Sequence, residues 1–230
     1  MRPVFFVMAQ YAITISFSAA DLERFYATGS NIVLARPLSG VALNMAWVVY
    51  RPFQKNYLGW NDDFAIYASG FPIENGVVPQ PNAQTDPNFP VQLALVYTMQ
   101  PAGTITGPVT SGGAAGAFTI DNEYQNTSGY LAFGLRQPAT IEGMASAPTA
   151  ASAINVLKGT KGILTPAPAV YLWVQPNIVS GTVVTVFTAP ITKVALTAAT
   201  PSADLVYQSA TGTFTTTTPG VLTSVTLPKL

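Results

Sequence analysis

Apolar and polar residues alternate with the two-residue period of a half-buried strand across Tyr11-Ala12-Ile13-Thr14-Ile15-Ser16-Phe17, with Tyr11, Ile13, Ile15 and Phe17 on one face. Strand signals rich in β-branched and aromatic residues recur at 31–36, 44–50, 64–69 and 93–99. They resume at 117–120, 130–135, 170–174, 183–188, 193–197, 205–208, 212–217 and 221–227. The 45–50 stretch is apolar on both faces, which predicts a central strand. One segment breaks the pattern. Residues 19–28 read as a short helix, with Ser18 and Asp21 as a capping box and Gly29 as a left-handed stop. Lying between strands, this helix is expected to cover an open sandwich end. Residues 149–158, closed by Gly159, fit either a second short helix or another strand.

The pattern predicts an all-β protein of two small antiparallel β-sandwich-like units with one or two short helices. Ser111-Gly112-Gly113-Ala114-Ala115-Gly116 lacks the bulk to join a core and reads as a linker. It divides the chain into a 1–110 unit and a 117–230 unit. Pro79, Pro81, Pro87 and Pro90 make 76–90 too proline-rich for a central strand, so a long ordered loop is expected there.

Met1-Arg2 followed by an apolar run and Ser18-Ala19-Ala20 resembles a secretory leader. The clean alternation of 11–17 instead favours a retained strand. The uncharged stretch 162–192 is long enough to span a bilayer as a helix, but Pro166, Pro168, Pro176 and Pro190 forbid that helix. No transmembrane helix is expected, and the compartment is left open.

Composition sharpens this picture through what is scarce. Only 9% of the residues are charged, against about a quarter in a typical soluble domain. Ten basic and ten acidic residues cancel, which leaves no electrostatic footprint for a nucleic-acid partner. A neutral, charge-poor surface favours association between copies. With no Cys and no His, Ser-His-Asp and Cys-His nucleophile systems, thiolate metal sites and His-ligated zinc are excluded. No cofactor and no transition-metal site is expected. Carboxylate chemistry remains, in which two Asp or Glu groups flank a glycosidic bond as acid and base or nucleophile, as in a glycosidase.

Two acidic spots stand out. Trp60-Asn61-Asp62-Asp63, preceded by Tyr57, reads first as a hairpin turn, since Asn and Asp bond their own backbone. Its functional versions are a sugar site with Trp60 as stacking platform, or a weak Ca²⁺ site. Asp121 and Glu123 would share one face of a strand, though a solvated strand start explains them equally. Arg36-Pro37 and Arg51-Pro52 each close a strand, a place where a guanidinium ties down carbonyls or a carboxylate. Asn126-Thr127-Ser128 matches a glycosylation acceptor, a motif short enough to arise by chance.

The chain ends in a Thr-rich run with no charge between Asp204 and Lys229. A neutral edge strand has nothing to oppose pairing with another chain. Phe214, Thr216, Val221, Thr223, Val225 and Leu227 are the candidate assembly residues. The expected function is a non-catalytic structural or self-assembling β protein whose partner is itself. The alternative is a glycan- or membrane-binding effector, lectin-like or pore-forming, acting through Trp60 and the 76–90 loop.

Overall fold

A computed structural model describes residues 10–86, 88, 90–109, 112–125 and 129–226. The leader-like residues 1–9, the Asn126-Thr127-Ser128 motif, Ser111 and Leu227 lie outside them.

The protein is all-β, with two sandwich-like layers-on-layers and one helix among the described residues. In the first sandwich a six-stranded sheet runs in the order Met144–Ala145, Thr140–Ile141, Lys55–Asn61, Gln10–Ser16, Ser202–Gln208, Thr213–Thr216. It faces a five-stranded sheet ordered Leu222–Thr226, Ile191–Ala195, Ala169–Pro176, Ser30–Ala35, Val48–Tyr50. Ile13, Ile15, Leu58, Trp60, Leu205 and Phe214 from one sheet meet Ile32, Leu34, Val170, Leu172 and Val194 from the other. Inward residues alternate with outward ones along each strand, as sheet-on-sheet packing requires.

The helix Ala19–Thr28 closes one end of this sandwich. Ser18 Oγ accepts from Asp21 N at 3.2 Å, and Gly29 takes the left-handed stop at φ 66°. Phe25 seals the core, edge-on to Phe17 with ring centroids 5.3 Å apart.

The second sandwich pairs a sheet ordered Lys161–Leu164, Phe118–Asn122, Val96–Met99, Ile105–Val109 with one in which Tyr130–Gln137 joins Ala65–Ser69 to Thr149–Ala150 and Ile154–Leu157. Phe64, Ile66, Tyr97, Met99, Phe118, Ile120, Phe133 and Leu135 fill its core.

Two pairs depart from the expected antiparallel pattern: Gln10–Ser16 with Ser202–Gln208, and Phe118–Asn122 with Val96–Met99, are parallel. The helix-or-strand segment 149–158 forms the strands Thr149–Ala150 and Ile154–Leu157. The 45–50 stretch splits into Met45–Ala46 and Val48–Tyr50, and the latter ends its sheet instead of lying at the centre. Its apolar faces are still explained, because Met45 and Ala46 pair with Thr182–Val183 while Trp47 is fully buried. Lys55–Asn61 and Ile105–Val109 are strands that the periodicity did not mark.

Every sheet draws strands from both sides of the 111–116 segment, so pairing does not follow a 1–110 and 117–230 partition. The second sandwich is nested instead: its strands come from 65–164, an interval flanked by most of the strands of the first, which also takes Thr140–Ile141 and Met144–Ala145 from within it. Gly113 in this segment has a different use from that of a tether. A Cβ added to Gly113 would meet the Ala94 backbone at 2.3 Å, so the residue permits close contact between two chain segments. Gly113→Ala is expected to cost about 1–3 kcal/mol, because the clash is with backbone that cannot swing away. Urea denaturation checks this; an unchanged midpoint is the signature of a loose linker.

Candidate functional site

Strand parity decides what the Trp60 segment can do. In Lys55–Asn61 the side chains of Asn56, Leu58 and Trp60 point inward, while Lys55, Tyr57 and Asn61 point outward. Trp60 is therefore a strand residue, only 5% exposed, and not part of a turn. It stacks on Tyr11 with centroids 5.8 Å apart and meets Trp47 edge-on at 5.7 Å. An indole so enclosed offers no open face for a sugar ring.

Tyr57 lies on the other face, half-exposed, with the Lys55 ammonium 5.2 Å from its ring. Tyr57 and Trp60 are thus not brought together. Asn61 and Asp63 sit at the surface and touch each other, Asn61 Nδ2 donating to Asp63 Oδ2 at 3.4 Å. Only Asp62 joins Trp60 in a common environment.

That environment is organised by Arg36, which the sequence marks only as a strand-end arginine. It follows Ser30–Ala35 and is 7% exposed. Its Nη1 donates to Asp62 Oδ1 at 2.9 Å and to Gln137 Oε1 at 2.9 Å. The guanidinium carbon lies 6.0 Å from the Trp47 ring centroid, 5.7 Å from that of Trp60 and 5.4 Å from that of Phe64, within the range of cation–π attraction. Gln137 is completely buried; its Nε2 donates to Asn61 O, and its carbonyl accepts from Trp47 Nε1 at 2.9 Å. Burial pulls the Arg36 pKa down, and the Asp62 charge opposes that shift. Burial also raises the Tyr11 hydroxyl, with Asp62 adding to the rise and Arg36 opposing it.

These residues stand at one end of a cleft of about 900 Å³ at the junction of the two sandwiches. Trp60, Val170 and Leu196 come from the first core, and Phe64, Val91 and Phe118 from the second. Pro90, at the end of the 76–90 loop, reaches the rim.

The other acidic spot is divided. Asp121 closes Phe118–Asn122 and is 3.7 Å from Lys161 Nζ, whereas Glu123 lies beyond the strand end in solvent. Arg51 stacks over Tyr26 at 4.2 Å, and Tyr26 Oη donates to Pro52 O at 2.8 Å, so that strand end is tied down structurally. Among the described residues no three acidic side chains gather as a metal site, and no helix is long and apolar enough to cross a membrane.

The candidate assembly residues also separate by burial. Phe214 is buried against Phe17 and Tyr207, and Val221 is buried too. Thr216 is half-buried, its Oγ1 donating to Asp204 O at 3.1 Å. Thr223 and Val225 lie on Leu222–Thr226, an edge strand whose five residues are all exposed.

The ion pair tests the weight of the Arg36 node. Asp62→Ala should cost about 1–2 kcal/mol, below the loss for a fully buried pair because the Asp62 side chain is 40% exposed. Asp63→Ala should stay within about 0.5 kcal/mol of the parent. Equal denaturation midpoints for the two variants would show that Arg36 does not depend on Asp62. Comparison with protein-family models, with curated proteins and with solved structures finds no match to this chain.

Proposed function

We propose that this chain is a non-catalytic structural β protein that associates with copies of itself through the Leu222–Thr226 edge. The exposure of that strand carries the reading. Among the described residues it terminates its sheet, pairs on one side only with Ile191–Ala195, and presents Leu222 at 74% and Val225 at 48% exposure.

Most other sheet ends have features that discourage pairing between chains, Ile154–Leu157 being a four-residue exception. Met144–Ala145 and Ala83–Gln84 are two residues long. Ile105–Val109 contains Pro108, and Lys161–Leu164 begins with a charge. Val48–Tyr50 runs into Arg51-Pro52, and its Val49 N–H is taken by Ser180 Oγ at 2.8 Å. At Thr213–Thr216 the Phe214 N–H is taken by Thr192 Oγ1 at 3.0 Å. Leu222–Thr226 has neither Pro nor charge within it. Antiparallel pairing of this strand with its symmetry mate, about a two-fold near Ser224, would join two five-stranded sheets and cover Leu222 and Val225. The balanced, sparse charge of the chain adds little repulsion.

Light scattering on size-exclusion fractions over a dilution series is expected to show a dimer or larger species. Val225→Lys, placed on an exposed edge, should shift it to monomer with an unchanged denaturation midpoint. A parent chain that stays strictly monomeric at high concentration contradicts the proposal.

A further inference from the structure

The cleft between the sandwiches has the size and wall chemistry of a ligand site, independent of the edge strand. Its volume of about 900 Å³ falls within the roughly 300–1,000 Å³ of small-molecule pockets. Trp60, Phe64, Val91, Phe118, Pro166 and Leu196 give it a predominantly apolar wall. A glycan would meet few polar partners there, whereas fused or linked hydrocarbon rings would bury their surface against the aliphatic, phenylalanine and proline side chains of the wall.

Arg36 and Asp62 are the only charged residues lining the cleft among the described residues. A guanidinium has five N–H donors, and among the described residues both hydrogen bonds of Arg36 come from Nη1. Nη2 and Nε have no acceptor among the described residues and are not among the fully buried unpartnered atoms, so they are open to the cleft although the side chain as a whole is only 7% exposed. A ligand oxygen entering the cleft is an acceptor these donors can reach. Asp62 uses Oδ1 for Arg36, which leaves Oδ2 to accept. Trp60 adds a buried Nε1–H with no acceptor among the described residues, and Tyr11 lines the same cleft.

Charge selects among head groups. Arg36 and Asp62 are 2.9 Å apart and cancel. A carboxylate drawn to Arg36 meets the Asp62 charge at nearly the same distance, and an ammonium drawn to Asp62 meets Arg36. A hydroxyl escapes both penalties, since it accepts from the guanidinium and donates to the carboxylate. We infer that the cleft binds a neutral, ring-bearing lipophile through a hydroxyl head group seated on the Arg36–Asp62 pair.

A matched fluorescent set tests this on the full chain: pyrene, 1-pyrenemethanol, 1-pyrenecarboxylate and 1-pyrenemethylammonium. Saturable binding of 1-pyrenemethanol is expected, about tenfold tighter than either charged analogue or pyrene itself. Ala167 lines the cleft and is half-buried, so Ala167→Trp should fill the space and abolish binding while circular dichroism stays unchanged. Asp62→Ala should weaken the alcohol about tenfold and leave pyrene unchanged, removing the preference between them. Absence of saturable binding overturns the site. Tightest binding of the carboxylate or the ammonium, or a preference that survives Asp62→Ala, overturns the head-group assignment. Binding undiminished in Ala167→Trp places the probe elsewhere and also overturns the inference.

Discussion

The guanidinium of Arg36 brings a positive charge to the place where two apolar cores meet, and the surrounding structure is arranged to accommodate it. An unpaired charge there would cost several kcal/mol. Asp62 and Gln137 supply acceptors, and Trp47, Trp60 and Phe64 supply aromatic faces. Each comes from a different part of the fold. Arg36 follows a strand of one sheet of the first sandwich, Asp62 follows a strand of the facing sheet, and Gln137 ends a strand of the second sandwich. Phe64 belongs to the second core and Trp60 to the first. One side chain thus ties three sheets together at the point where the chain leaves the first sandwich for the second.

Nesting gives this tie its importance. The first sandwich is completed only when 169–226 returns to strands laid down by 10–61, as in the parallel pairing of Ile13 with Ala203 and Ile15 with Leu205. The second sandwich is closed between those two events in sequence. Its position relative to the first is held by buried contacts such as Trp47 Nε1 to the Gln137 carbonyl and Thr149 Oγ1 to the Trp47 carbonyl. The cleft lies at the same junction, lined by residues of both cores beside the Arg36 node.

What the chain discloses in sequence is local. Ser18, Asp21 and Gly29 identify the helix because capping is settled within a few residues. The alternation from Tyr11 to Phe17 identifies the first strand for the same reason. Lys55–Asn61 stayed hidden because its alternation is inverted: Asn56 is wholly buried while Tyr57 faces outward. The Asn56 amide is satisfied by Phe53 N and Phe53 O, three residues away, and by Ile15 O, a distant partner no local pattern reveals. The turn-forming Asn61, Asp62 and Asp63 then drew Trp60 into the wrong element. Phe214 was legible as a core residue, being the one apolar side chain among threonines in its strand, yet the neutral run around it suggested an edge. The nested order depends on which distant strands pair, and periodicity does not encode that.

Native-state hydrogen exchange in rising denaturant tests the central claim, that the nested sandwiches are joined into one structure at the Arg36 node. Amides of Ile13, Ile15 and Leu172 report the first sandwich, and those of Ile120, Phe133 and Leu135 the second. Slowest exchange in both sets through a single opening reaction, of one free energy and one denaturant dependence, is the predicted result. Two separate openings, with the second sandwich exchanging while the first remains protected, would contradict the account.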